Sequence, residues 1–371
     1  MAASDYKRIP WWEPQIGSPL ERKYIERVLK DNYANEGKLT TEFENKIAAR
    51  LSVKHAIATT SGTNAIFLAL KALGVGHGDE VIVPDATFIA SANAVTLAGG
   101  TPILVDINPK DLTISIDAFR SAITSKTKAV IPVHVTGRGA DMEEIIKIAR
   151  EKKIFIVEDA AEALLSKYNG KYLGTWGDTG CFSFSAAKTI TTGQGGMIVT
   201  NSDELYEKLK PLKDQGRPVR GTGGDDLHDT IGFNFKFTDI QAALGLGQHE
   251  LVDERIKRMV RNYNLYKKEL SGIRGFEIFD IDIENGGVPQ WTDALIERRG
   301  ELDAYLKNFN IDCRRYWLPI HRQKAYPLSD DKFTNSNKYM PQALWLPSAF
   351  TLTDKDIMAV VSRIKEFYAK P

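Results

Sequence analysis

Residues 180–197 read GCFSFSAAKTITTGQGGM, with a single lysine, Lys188, near the middle. Ahead of it, Cys181, Phe182, Ser183, Phe184 and Ser185 have the character of a short buried strand; behind it, Gly193, Gly195 and Gly196 permit tight turns. Upstream, residues 154–159 (IFIVED) form an apolar run that ends in an acid. In open α/β sheets ligands sit beyond the carboxyl ends of the strands, so a lysine and an acid at neighbouring strand ends would face one crevice.

Most lysines are exposed loop amines. What sets Lys188 apart is Asp159 together with the turn at residues 59–64 (TTSGTN), which joins a strand to a helix and is rich in small hydroxyl residues. Free amides and hydroxyls at a helix N-terminus make a phosphate cradle, although the same residues also make an ordinary helix cap. An acid, an amine and a phosphate cradle together suit pyridoxal phosphate. Asp159 would keep the ring nitrogen protonated, and Lys188 would hold the aldehyde as a Schiff base. A free lysine titrates near about 10.4, so this chemistry at neutral pH requires burial or neighbouring positive charge.

The chain has 371 residues, enough for two domains on length alone. Lys plus Arg number 49 against 48 Asp plus Glu, so the balance carries no nucleic-acid footprint. Two cysteines far apart and six scattered histidines give neither a disulfide framework nor a metal motif. No apolar stretch reaches the roughly 18 residues of a membrane span, and the first residues carry charges and prolines. The expectation is a soluble, cytoplasmic protein of a reducing compartment, with no membrane or nucleic-acid partner.

From residue 55 onward strand-like and helix-like segments alternate, which argues for a mostly parallel sheet with helices on both faces. Strands are expected at 55–59, 80–84, 102–106, 128–133, 154–159 and 197–200, and helices at 62–73, 88–97, 115–123 and 202–212. Ser18-Pro19 and Thr238 start helices well, and Thr41-Glu42-Phe43-Glu44 reads as a capping box. The loop at 217–229 lacks apolar periodicity and reads as a disordered segment or a flap. A charged periodic run at 250–270 leads to a mixed region, with strands expected at 276–279, 290–296 and 312–317 and helices at 301–309 and 353–367. No GxGxxG opens the first βα unit, and Phe182 and Ala187 stand where Walker glycines belong.

Six ordered motifs carry a family resemblance: 61–65 (SGTNA), 78–84 (GDEVIVP), 158–163 (EDAAEA), 182–188 (FSFSAAK), 195–197 (GGM) and 232–243 (GFNFKFTDIQAA). Over nearly its whole length the chain resembles the DegT/DnrJ/EryC1/StrS sugar aminotransferases, within the fold-type I pyridoxal-phosphate enzymes. It looks most like the GDP-perosamine synthases. The resemblance implies a large α/β domain over residues 1–250, with an N-terminal helical arm, and a linking helix plus a smaller α+β domain over 251–371. It implies that Lys188 bonds the cofactor and Asp159 pairs with its ring nitrogen. Gly62, Thr63 and Ser183 would hold the phosphate, Phe88 would stack on the ring, and Glu162 would lie near its phenolic side. Asn234 would reach the cofactor of the other subunit in a homodimer, and His321 would contact substrate. Without the family, Phe88 is a core side chain, Ser183 an outward strand residue, Asn234 a turn former, and His321 as often structural as not.

The reaction this implies moves an amino group from L-glutamate to a nucleotide-linked 4-keto-6-deoxy sugar. Two features depart from the pattern: Ala186-Ala187 replaces a frequent Gly-Asn, and the stretch 276–296 is shorter than in perosamine synthases. Rival readings are a 3-keto nucleotide-sugar aminotransferase and a cofactor-binding regulatory protein of the same fold. A sugar dehydratase would carry histidine in place of Lys188.

Overall fold

The computed structural model describes residues 6–218 and 226–369. The first five strands are β1 (His55–Thr59), β2 (Glu80–Pro84), β3 (Thr101–Val105), β4 (Thr127–Val130) and β5 (Phe155–Asp159). A two-stranded hairpin, β6 (Lys167–Tyr168) and β7 (Lys171–Tyr172), precedes β8 (Thr179–Ser183) and β9 (Gly196–Thr200). Helices α1 (Pro19–Asp31) and α2 (Lys38–Leu51) come before β1, and α3 (Gly62–Ala72), α4 (Ala90–Ala98), α5 (Ile116–Ala122) and α6 (Met142–Lys152) connect the strands up to β5. Then follow α7 (Asp203–Lys213), α8 (Asp239–Glu250) and the long α9 (Val252–Glu269).

The main sheet runs β1-β9-β8-β5-β4-β2-β3. Strands β3, β2, β4, β5 and β8 are parallel, and their apolar runs are buried because helices cover both faces. β9 is the exception, antiparallel to both β8 and β1. A parallel return needs a long crossover, commonly a helix, whereas residues 184–195 contain none, so the chain doubles back. That doubling back puts the loop carrying Lys188 at the carboxyl end of β8.

A second sheet, β10 (Phe276–Ile278), β11 (Asp293–Ile296), β12 (Arg314–Arg315) and β13 (Ala343–Trp345), has the antiparallel order β10-β11-β13-β12. Helices α10 (Arg299–Lys307), α11 (Thr334–Tyr339) and α12 (Asp354–Ala369) accompany it. The expected strand at 290–296 starts only at Asp293, which leaves Gln290 and Trp291 in an irregular approach. The N-terminal segment joins this part of the molecule: Ile9 bridges Ile311, and Trp11 and Trp12 pack on Trp291, Trp345 and Phe350.

Local capping signals held where partner and cap are close in sequence. Ser18 with Glu21 and Thr238 with Gln241 form capping boxes, and Ser61, Ser115, Asp141 and Ser202 each accept from the backbone N–H three residues on. The box read at Thr41 is a misreading. α2 begins at Lys38, so Thr41 is already helical, and Asp239 caps the helix by accepting from the amides of Gly37, Leu39 and Thr40 and from the Thr40 hydroxyl. Glu44 instead accepts from the Ala58 amide. Asp239→Ala should therefore lower unfolding free energy by about 2 kcal/mol. A denaturant midpoint unchanged from wild type would show the cap to be dispensable.

Two further differences bear on the site. The helix expected at 88–97 begins at Ala90, which frees Phe88 for the preceding loop. The segment read as a flap, 217–229, includes residues 219–225, outside the described ones. Among the described residues, no helix is long and apolar enough to cross a membrane.

Candidate active site

A cavity of about 320 Å³ lies at the carboxyl ends of β5 and β8, against the start of α3 and the aromatic face of the second sheet. The acid enters from β5. Side chains alternate along a strand, so the adjacent carboxylates of Glu158 and Asp159 go to opposite faces. Glu158 is buried and bonded to His134 and to the amides of Gly174, Trp176 and Gly177, while Asp159 lines the cavity. One Asp159 oxygen accepts from the Ser91 hydroxyl at 2.7 Å and the other from the Ala161 amide at 3.1 Å. The carboxylate is thus fixed in direction before any ligand arrives.

The amine enters from the loop after β8. Lys188 Nζ is 3.4 Å from Glu162 Oε1 and 4.9 Å from the centre of the Trp291 ring. Its two chain neighbours are held by one buried amide: Gln290 Nε2 donates to the Ala187 carbonyl at 3.2 Å, and the Thr189 side chain donates from Oγ1 to Gln290 Oε1 at 2.7 Å. Trp12 Nε1 donates to the Ala186 carbonyl. The two alanines ahead of the lysine therefore serve through their carbonyls, which any residue would supply.

Glu162 also accepts from the Thr136 amide at 3.1 Å. Burial pushes its carboxyl above the ordinary carboxylate range, a rise that Lys188 partly offsets. Because the folded chain holds this proton more tightly than the unfolded chain, its contribution to stability is present at acid pH and is lost as pH rises through the folded value. Glu162→Gln should flatten that part of the stability profile; a profile identical to wild type from acid to neutral pH would contradict the assignment.

The third corner is the start of α3. Its first amides, Gly62 and Thr63, have no intrahelical acceptor by helix geometry, and the Ser61 side chain is engaged by the Asn64 amide. A Cβ on Gly62 would come 3.0 Å from Ser183 Cβ, so only glycine lets the Ser183 hydroxyl and these amides converge without displacement. Free N–H donors, a hydroxyl and the N-terminal end of a helix dipole suit a phosphate. With the fixed carboxylate and the amine on the same cavity, the residues fit pyridoxal phosphate.

Lys188, Asp159, Glu162, Gly62, Thr63, Ser183 and Phe88 all line this one cavity. Phe88 is not a core side chain: it is 53% exposed, with its ring bordering the cavity. Asn234 is exposed and bridges Asp214, away from this cavity. His321 stands apart from this cavity. Its imidazole is fully buried and stacks on Phe333, with Nδ1 2.7 Å from Asp85 and Nε2 2.8 Å from Asp330. Both ring nitrogens are thereby engaged, and it does not line the cavity. It ties residues 320–330 to the loop after β2 that carries Phe88.

Ser91, Gln290, Trp291, Arg314, Trp317 and Trp345 were missed from the sequence. Ser91 reaches Asp159 from 68 residues away and Gln290 reaches the Lys188 loop from about a hundred, with no local pattern to announce either. Three of the six tryptophans in the chain, Trp291, Trp317 and Trp345, line the cavity, which their positions in the sequence do not announce.

A sequence profile of the DegT/DnrJ/EryC1/StrS aminotransferase family matches residues 16–365. The chain is 37% identical over 368 residues to the GDP-perosamine synthase of Escherichia coli O157:H7, covering 98% of this chain and 99% of that one. Among solved structures it is similar to S. venezuelae DesV in complex with a ketimine intermediate, at 31% identity, TM-score 0.90 and 95% coverage of both chains. It is also similar to the PLP-form of the putative sugar aminotransferase Spr1654 from Streptococcus pneumoniae, at 26% identity, TM-score 0.93, and 98% and 99% coverage. Sequence over almost the full length and an acid–amine–phosphate pocket thus agree: the chain belongs to the DegT/DnrJ/EryC1/StrS aminotransferase family, as a sugar aminotransferase with pyridoxal phosphate as its cofactor.

Proposed function

We propose that this enzyme transfers an amino group from L-glutamate to a nucleotide-linked 4-keto-6-deoxy sugar. The observation that carries this reading is the full-length similarity to a GDP-perosamine synthase, together with a cavity that holds the acid, the amine and the phosphate corner. Bound pyridoxal phosphate supplies an aldehyde that accepts the amino group and a protonated ring that draws electrons from the carbon losing a proton.

The chain's residues supply the rest. Gly62, Thr63 and Ser183 would hold the phosphate, and Phe88, on the same cavity, would pack against the ring. Asp159, fixed by Ser91 and the Ala161 amide, keeps the ring nitrogen protonated and balances its charge. Lys188 would anchor the cofactor and, as a free amine, would move a proton as base and then as acid. Glu162 lies beside it at 3.4 Å, a long contact that places a carboxyl next to the amine. In the second half of the cycle the same amine returns a proton while the keto sugar gains nitrogen.

The active unit in this reading is a homodimer in which Asn234 serves the neighbouring subunit. Supporting this, Asn234 lies near Leu227 and Ile231 in sequence, and those two side chains are 68% and 84% exposed. Apolar side chains that exposed on one segment suit burial against a second copy.

Incubating the loaded protein with L-glutamate and a GDP-linked 4-keto-6-deoxy sugar should yield the amino sugar and 2-oxoglutarate, detected by mass spectrometry. Turnover of a 3-keto nucleotide sugar, with none of the 4-keto compound, would overturn the substrate assignment.

A further inference from the structure

Two successive arginines on β12 have opposite fates. Arg315 is 2.9 Å from Asp303, an ordinary ion pair on one face of the strand. Arg314 alternates to the other face, opposite Trp345 in the β12–β13 ladder. Its guanidinium carbon sits 4.8 Å from the centre of the Trp11 ring and 5.4 Å from that of Trp345. No carboxylate among the described residues pairs with it, and it lines the same cavity as Lys188.

The charges on the cavity wall sharpen the point. Asp159 and Glu162 contribute two carboxyls; the cations are Lys188 and Arg314. Lys188 already faces Glu162 at 3.4 Å, so Arg314 is the cation whose charge is uncommitted. Two indole rings hold the guanidinium by cation–π attraction while leaving its in-plane N–H donors free. A planar fork so presented matches a carboxylate or phosphate, which offers two oxygens at the right separation. Indoles do not neutralise the charge, so the arrangement has the form of a receptor rather than of a structural salt bridge.

We propose that Arg314 is an oxyanion-binding residue of this active site, taking two oxygens of an anionic substrate. The inference rests on the aminotransferase reading above, in which the donor brings carboxylates and the acceptor brings a diphosphate. Either source presents the same chemistry to a guanidinium, and each can be probed alone.

The test compares wild type, Arg314→Lys and Arg314→Gln, all loaded with pyridoxal phosphate, by calorimetric titration with glutarate, a dicarboxylate without an amino group, and separately with GDP. Cofactor absorbance and circular dichroism serve as the folding controls, and Arg314 is exposed enough for the variants to fold. Arg314→Gln should weaken one probe by about tenfold or more, with Arg314→Lys intermediate because it keeps charge but loses the fork. Weakened glutarate with unchanged GDP assigns the subsite to the donor carboxylate; the reverse assigns it to the diphosphate; weakening of both supports the shared subsite. Variants that bind both probes like wild type overturn the proposal and leave the aminotransferase reading standing. A wild-type protein that binds neither probe overturns both.

Discussion

Lys188→Ala is expected to abolish transamination, by about 10⁴-fold in rate, and to remove the visible or near-ultraviolet absorbance of the loaded protein. The size follows from the number of tasks one amine performs, anchoring the cofactor and carrying the proton in both directions. Its surroundings show why another lysine cannot substitute: the loop is pinned by Gln290 at the residues on both sides and by Trp12 at Ala186, two residues earlier. Alanine also leaves Glu162 without its cationic neighbour, so a loss of rate alone could reflect disturbed packing. Lys188→Arg separates the two. It keeps a positive charge for Glu162 but stays protonated near neutral pH, and it should lose as much activity as alanine. Retention of even a tenth of wild-type rate in either variant would mean that the amine has been misassigned.

Asp159→Asn is expected to keep the cofactor and lower the half-reaction with L-glutamate by about 10² to 10³-fold. The side chain's two contacts, from the Ser91 hydroxyl and the Ala161 amide, are both donors to oxygen, so an asparagine can retain one of them and stay in place. What disappears is the negative charge that favours a protonated ring nitrogen. Cofactor held by the phosphate corner and by Lys188 should remain, visible as absorbance with an altered pH response. Rates within about threefold of wild type would place the ring nitrogen's partner elsewhere.

The parts of this molecule that could be read from sequence are those whose causes are local. Apolar runs bounded by turn residues gave the parallel strands, and Ser18 and Thr238 marked helix starts because each bonds an amide three residues on. Asp159 ends β5, and Lys188 lies in the loop five residues beyond the end of β8, so the sequence placed both near strand ends. The direction of β9 was not, since an apolar run reads alike in either orientation. The cap of α2 was misread because the residue that supplies it, Asp239, is about two hundred positions away. His321 illustrates the same limit. Its side chain is held by Asp85, 236 residues distant, which takes one ring nitrogen and the backbone amide as well, a contact no local pattern announces. Gln290, Ser91 and the tryptophan wall likewise reach the cavity through packing between sheets that no local pattern encodes.

Borohydride reduction of the protein loaded with pyridoxal phosphate, followed by proteolysis and mass spectrometry, examines the core of this account at a single atom. Reduction should fix the cofactor permanently to the peptide that contains Lys188, at Nζ, in a stoichiometry near one per chain. Label on a different lysine, or none at all in a protein that still binds the cofactor, would contradict it.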